Sequence, residues 1–256
     1  MRACVFASGS SGNCMLLSSG DTNILIDAGI SARRTEDDLR QVGLTLRDIG
    51  GVLITHEHSD HVSGLRTMLR HYGLPVYAPR TVAARLSGML PELDGCLRII
   101  EPGFDFYIGS MKIRAFHTPH DTDESVGYRV ERGGVFAIAT DMGRVTDEVE
   151  SNLLGADAVL IESNHDLDML SYGPYPVYLK RRILSERGHL SNDDCAALAR
   201  RLAESGVRRI VLGHLSRENN TPEKAMLTVS GALRELPVEL RCAPPEGMLA
   251  FTVGEN

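Results

Sequence analysis

Residues 53–64 read LITHEHSDHVSG, and no other stretch limits the fold so tightly. An apolar run from Gly51 delivers His56, Glu57, His58, Asp60 and His61 within six positions. Val62, Leu65, Met68 and Leu69 then repeat with helical period. A strand therefore ends, and a helix begins, around side chains suited to metal. Neutral imidazole and carboxylate are good ligands for zinc and manganese. Alternate side chains at a strand end aim at one point, so His56 and His58 can share an ion. Asp60 and His61, one turn on, can share a second. A solvated loop with Asp60 favouring the helix dipole is the plainer reading, but it gives no reason for such density.

Four ligands do not complete two sites. AFHTPH offers His117 and His120, and AIATDMG places Asp141 after an apolar strand. VLIESNHD places Glu162, His165 and Asp166 after another, and IVLGHLS places His214 after a third. Taken singly, each reads equally as a satisfied loop residue. Together they imply one shared rim, where functional groups gather.

Strands are expected at 3–8, 14–19, 22–29 and 51–56, and in LPVYAP, MKIRAFHTPH, SVGYRVERGG, VFAIATDMG, DAVLIESN, VRRIVLGH, VELRCA and GMLAFTV. Helices are expected over SARRTEDDLRQVG, PRTVAARLSGML, RVTDEVESNLLG, SNDDCAALARRLAESG and 222–236. Two blocks each begin with strands and end with helices, and no linker divides them. This suits two sheets face to face with helices outside, in one domain spanning 1–256. A doubly wound parallel sheet is the alternative.

The formal charge of −7 gives no general attraction to nucleic acid. Bound divalent ions or a local basic patch can reverse the field at a site. The absence of tryptophan argues against a stacking-rich single-strand binder. Cys4, Cys14, Cys96, Cys195 and Cys242 form no CxxC pair, so reduced cysteines and a cytoplasmic location are expected. The opening MRACVFASGSSGN lacks the apolar core of a signal peptide. No apolar run nears the about 18 residues of a membrane span, so no membrane partner is expected.

HEHSDH resembles the HxHxDH motif of the metallo-β-lactamase superfamily, and the later His, Asp and His follow in that family's order. The resemblance implies a four-layer α/β fold, an αββα sandwich with two divalent ions at one edge. It implies His56, His58 and His120 on one ion, Asp60, His61 and His214 on the other, and Asp141 bridging. His120 is implied over His117 because the family's third motif puts its ligand just after the strand, here before Asp121. Asp27, ending ILIDAG, matches the first motif, whose acid supports the metal loops without binding. Histidine ligands also need partners on their second nitrogen, and Asp27 and Glu162 are the candidates.

The superfamily hydrolyses β-lactams, thioesters and phosphodiesters, so fold does not decide the reaction. FASGSSGNCMLL opens like its nuclease and phosphodiesterase branches. IESNHD, YPVYLKRRILSERGHLSNDD and LGHLSRENN resemble the YycJ (WalJ) subfamily, and the resemblance runs from residue 3 to about 220. That subfamily is associated with 5′-to-3′ exonuclease action on DNA. GHLSNDDCAALA and VRRIVLGHLS are more distantly similar to tRNase Z, in which the first histidine assists the leaving group and the second binds metal. The implied activity is a dinuclear-metal phosphodiester hydrolase acting on DNA ends through a metal-bridging hydroxide. Asp60 would orient that hydroxide, and His189, or secondly His165, would protonate the leaving oxygen. Zinc, manganese and iron all suit such mixed ligands.

Substrate contacts are less sharply written. SGSSGN (8–13), with Ser11 and Asn13, can meet a phosphate or form a plain β-turn. Arg181 and Arg182 can touch a nucleic-acid backbone or lie on a solvated helix face. Tyr172, Tyr175 and Tyr178 can stack a base, but core packing is expected for most of them. Ser191 reads as an N-cap with Asp194 in a variant capping box, and Leu190 as a staple onto Cys195. That leaves His189 unexplained. Between Asp141 and His214 there is no room for the inserted domain of β-CASP ribonucleases, nor an arm like that of tRNase Z. A small-molecule phosphodiesterase or thioesterase, or an RNA-cleaving nuclease, on the same site is the alternative. A non-catalytic metal protein is disfavoured because no ligand is missing.

Overall fold

Three apolar runs at the start of the chain become β1 (Arg2–Ala7), β2 (Cys14–Ser19) and β3 (Thr22–Ile26). Ala3, Val5, Met15, Leu17, Ile24 and Ile26 face one side, and Cys4, Phe6, Cys14, Leu16 and Leu25 the other. A sheet apolar on both faces has to be covered on both. The computed structural model, which describes residues 1–254, covers it in four layers.

β4 (Gly51–Leu53), β5 (Val76–Pro79) and β6 (Leu97–Ile100) extend this sheet in parallel beyond β3. The second sheet begins with the antiparallel strands β7 (Asp105–Ile108), β8 (Met111–His117), β9 (Val126–Glu131) and β10 (Val135–Ala139). It continues in parallel through β11 (Ala158–Glu162), β12 (Arg209–Gly213) and β13 (Glu239–Cys242). β14 (Leu249–Thr252) returns to pair antiparallel with β1, so each sheet has seven strands.

Val5, Leu17, Ile26, Ile113, Tyr128, Phe136 and Leu160 meet between the sheets. Outside the first sheet lie α1 (Ala32–Gln41), α3 (Leu65–Tyr72) and α4 (Arg80–Met89), which contribute Leu39, Met68 and Leu86. Outside the second lie α5 (Asp147–Leu153), α8 (Asn192–Glu204) and α9 (Pro222–Ala232), which contribute Leu153, Leu198 and Val229. Burying each such side chain is worth roughly 1.5–3 kcal/mol. The architecture is therefore an αββα sandwich, and the doubly wound alternative is set aside. Among the described residues no helix is long and apolar enough to cross a membrane.

Several expected boundaries shift, each for a physical reason. The strand expected over 51–56 stops at Leu53 because Thr55 leaves the ladder. Its N–H donates to the Asp27 carboxylate (2.9 Å) and its carbonyl accepts from Val126 of the opposite sheet (3.1 Å). The helix expected to 236 ends at Ala232, and Glu235 takes a left-handed φ of 73° just before Pro237. β6 and β7 were not expected. Each is one edge of its sheet, half-exposed, and neither alternates cleanly between apolar and polar residues. Three short helices join the rim loops: α2 (Ser59–Val62), α6 (Leu167–Tyr172) and α7 (Val177–Ile183).

Candidate active site

Site residues leave the carboxyl ends of both sheets through unusual backbone. Asp27 follows β3, Asp141 follows β10 and His214 follows β12, with φ of 59°, 56° and 53°. This left-handed region costs a non-glycine residue about 1–2 kcal/mol, and such strain concentrates at functional sites. Local bonds hold it, with the Asp27 amide on the Leu53 carbonyl (2.8 Å) and the His214 amide on Ser8 Oγ (2.9 Å). The His-rich loop lies directly on residues 28–29. A Cβ at Gly29 would stand 1.7 Å from the Asp60 carbonyl oxygen. The Asn13 amide meets that same carbonyl at 2.8 Å, and the Ala28 amide meets the carbonyl of His61 at 2.8 Å.

Ligand atoms gather in overlapping groups, each within 4.8 Å: His56, His58 and His120; Asp60, His61 and His214; and His56, His61 and Asp141. Asp141 thus lies between the two trios, its carboxylate 3.4 Å from His61 Nε2 and 3.7 Å from His120 Nε2. His56 Nε2, His214 Nε2 and Asp141 Oδ2 are buried without a hydrogen-bond partner. Buried polar atoms are normally satisfied, and three unpartnered ones converging on one point fit a divalent cation. The donor set of imidazole and carboxylate fits zinc, manganese or iron.

Two buried carboxylates orient the imidazoles. Asp27 Oδ2 accepts from His61 Nδ1 (2.8 Å), and Thr55 Oγ1 bridges Asp27 and His56 Nδ1 (3.1 Å). Glu162 Oε1 accepts from His189 Nδ1 (2.7 Å) and His214 Nδ1 (2.9 Å). Its Oε2 accepts from the amides of Met142 (2.9 Å) and Leu190 (3.3 Å). On His56, His61 and His214 an Nδ1–H so held leaves the Nε2 lone pair of the neutral ring for the site. Asp141, Glu162, His189 and His214 also form a close group. Glu162 is already used by both imidazoles there, so it reads as their support.

Burial and the facing charges set the proton affinities of these groups in opposite directions. Burial disfavours the His61 imidazolium, but Asp27 and Asp141 outweigh burial and lift it to about 10. Against the same burial penalty, Asp141, Asp60 and Glu162 raise His214 well above its usual value. Burial pushes His56 well below the usual range, with His61 adding to the fall. Burial works against ionised Asp60 and Asp141, yet His214 and His61 hold both below the usual carboxylate range. Glu162 drops to about 2 despite burial, because His189 and His214 face it. The same carboxylate raises His189 against its own burial.

A cleft of about 240 Å³ opens over this cluster, lined among others by His58, Asp60, Asp141, His189 and Arg182. The remaining sequence candidates divide. His189 lies in the cleft. His165 does not. It is 1% exposed with both ring nitrogens unpartnered, packed where its carbonyl accepts from the Asn192 amide. Ser10 lines the cleft and Ser11 does not, because 9–12 is a β-turn closed by Gly12 N–H on the Gly9 carbonyl (3.0 Å). Asn13 turns inward, its amide 3.1 Å from both the Gly9 carbonyl and His61 Nε2. Arg182 lines the cleft in an ion pair with Asp121, whereas Arg181 points to solvent. His117 stays outside, bonded to Glu148 (3.3 Å).

Core packing, expected for most of the tyrosines, is corrected. Tyr172 and Tyr178 are exposed, and half-buried Tyr175 lines the cleft. Ser191 does cap α8, but its hydroxyl donates to the Asp194 carboxylate (2.6 Å), so that carboxylate does not close a capping box. Sequence reasoning missed Asp121, whose orphaned Oδ1 lies 3.2 Å from His120 Nε2 and 3.9 Å from His58 Nε2. It also missed Thr55, although that residue directly precedes the motif.

Comparison with known proteins extends this picture. A family described as the beta-lactamase superfamily domain matches residues 22–215. An exodeoxyribonuclease YycJ of Bacillus anthracis is 37% identical over 233 residues, covering 90% of this chain and 88% of that protein. A ribonuclease Z of Methanopyrus kandleri is 30% identical over 124 residues, 46% of this chain and 43% of that one. Among solved structures, the metallo-beta-lactamase fold protein YhfI of Bacillus subtilis superposes with a TM-score of 0.75 at 16% identity, covering 98% and 99% of the two chains.

Proposed function

The chain belongs to the metallo-β-lactamase superfamily, and from that premise we propose that it is a two-metal phosphodiester hydrolase degrading DNA from its ends, 5′ to 3′. The observation that carries the reading is the pair of ligand trios around Asp141, with His189 across the same cleft. The likeness to a named exodeoxyribonuclease supports DNA as the substrate. Free cysteines support a reducing, cytoplasmic setting. The whole chain would act as one domain.

His56, His58 and His120 would hold one divalent ion, Asp60, His61 and His214 the second, and Asp141 both. When bound, such ions acidify water and neutralise phosphate charge. Asp60, on the cleft, accepts a hydrogen bond from the attacking water and so aims it at phosphorus. His189 spends Nδ1 on Glu162, which leaves Nε2 to hold the proton for the departing oxygen. The Glu162 carboxylate raises the proton affinity of His189 against burial, which favours the charged form a general acid needs. Arg182 lines the same cleft and is placed to meet a neighbouring phosphate.

The test is digestion of 5′- and 3′-labelled DNA, single-stranded and duplex, with manganese or zinc. Bis(p-nitrophenyl) phosphate and a cyclic nucleotide serve as small diesters. Stepwise release from the 5′ end, lost in His58→Ala, is the expected result. Turnover of small diesters with no attack on any DNA end would overturn it.

A further inference from the structure

Helix α7 presents two different faces. Tyr175, Leu179, Arg182 and Ile183 line the cleft. Val177, Tyr178, Arg181 and Leu184 turn outward, with Val177 65%, Tyr178 74% and Leu184 54% exposed. Tyr172, at the end of α6, is 89% exposed. Single exposed apolar side chains need no explanation, but a group bordering a cleft does.

The backbone carrying these side chains is tied by its own contacts. Lys180 Nζ donates to the carbonyls of Ser171 (2.7 Å) and Gly173 (2.8 Å), tying α7 to the end of α6. A Cβ at Gly173 would stand 2.4 Å from the Met169 carbonyl oxygen, so the turn closes tightly. Pro174 and Pro176 fix φ on either side of Tyr175. A backbone held this way has little order left to gain on contact.

Local charge runs against the chain's −7. Residues 172–187 carry Lys180, Arg181, Arg182 and Arg187 against the single acid Glu186. Arg182 pairs with Asp121 through Nε, and Arg187 donates to the carbonyls of His120 (2.6 Å) and Thr122. Arg181 is exposed and makes no hydrogen bond or ion pair with the described residues.

We propose that this outer face is a stacking shelf for an unpaired nucleic-acid strand entering the cleft, with Tyr178 and Tyr172 against bases and Arg181 on a phosphate. The inference rests on the nuclease reading above and adds its substrate form. Every base has a π-face, so stacking tolerates any sequence, while a duplex hides those faces; two exposed tyrosines supply this locally, which narrows the expectation drawn from the lack of tryptophan. A second copy fits less well, because a two-fold interface through this face would bring Arg181 and Arg182 of both copies into one contact.

The probe is a fluorescent dodecathymidylate with cleavage-resistant phosphorothioate links, titrated onto metal-loaded protein. Tyr178→Ala and Tyr172→Ala should each raise Kd about tenfold, and Tyr178→Phe should stay within about twofold. Arg181→Ala should lower the slope of log Kd against log salt by about 0.7. Turnover of bis(p-nitrophenyl) phosphate should not change in any variant. Wild-type Kd in Tyr178→Ala, or a change in its oligomeric mass with Kd unchanged, overturns the shelf. Tyrosine-dependent binding without DNA cleavage sinks the nuclease reading alone. Cleavage and binding indifferent to the tyrosines sink the shelf alone.

Discussion

Replacing Glu162 by glutamine tests how the rim is held. Glu162 is fully buried, and four donors face its two oxygens: two imidazole Nδ1–H groups and the amides of Met142 and Leu190. Glutamine keeps the volume but offers one oxygen and one NH2. If its oxygen faces the imidazoles, the NH2 opposes the two amides; reversed, it opposes the imidazoles. Either way two donors lose their acceptor. Hydrogen bonds to a charged group are worth about 1.5–3 kcal/mol each, so the metal-free variant should lose about 3–6 kcal/mol. His214 also loses the partner that fixes its tautomer, and second-layer losses of this kind cost about 10–100-fold in metal affinity. Denaturant unfolding of metal-free protein and competition with a chromogenic chelator measure the two effects. A variant with wild-type stability and metal affinity within about twofold of wild type would refute the role assigned to Glu162.

Other outcomes follow from the same geometry. His189→Gln should lower kcat by about 10²–10⁴ with metal content unchanged. Wild-type kcat should fall as pH rises through the raised value of His189, and the variant's profile should lack that fall. In metal-free protein His61, at about 10, and His214 keep protons that the unfolded chain releases near pH 6.5. The His61 stabilisation is complete below about pH 6.5 and lost as pH rises toward 10, at about 1.4 kcal/mol per unit, and His214 acts in the same direction. The Tm of metal-free protein should therefore drop between pH 7 and 8.5, and a flat or rising Tm contradicts this. Metal binding over the same range should release protons and tighten, read by calorimetry in buffers of different ionisation enthalpy. Gly29→Ala forces a Cβ into the Asp60 carbonyl and should cost about 3 kcal/mol or more along with bound metal, measured by unfolding and metal analysis.

The rim is legible in the chain because each ligand follows an apolar run, and strand period shows where a run must end. His56, His58, Asp60 and His61 need only local sequence to be grouped. Asp121 does not, since HDTDES reads as any polar turn until the fold sets its Oδ1 beside His120. His165 follows a strand as Asp141 does, yet the 189–192 loop pairs with its backbone and the ring turns inward. β6 and β7 escape notice because Arg98, Ile99 and Tyr107 face solvent at sheet edges and break the alternation. Tyr172 and Tyr178 look like core residues, as aromatic rings usually are. What holds them out is the short Gly-Pro-Tyr-Pro turn and its Lys180 tie, a tertiary arrangement no periodicity reports.

Titrating metal-free protein with manganese while following release from 5′-labelled DNA tests the two-ion hydrolase most directly. The account predicts negligible release without metal and a rise that saturates near two equivalents per chain, with Asp141→Asn failing to reach it. Full activity at one equivalent, or cleavage that survives complete removal of metal, would contradict it.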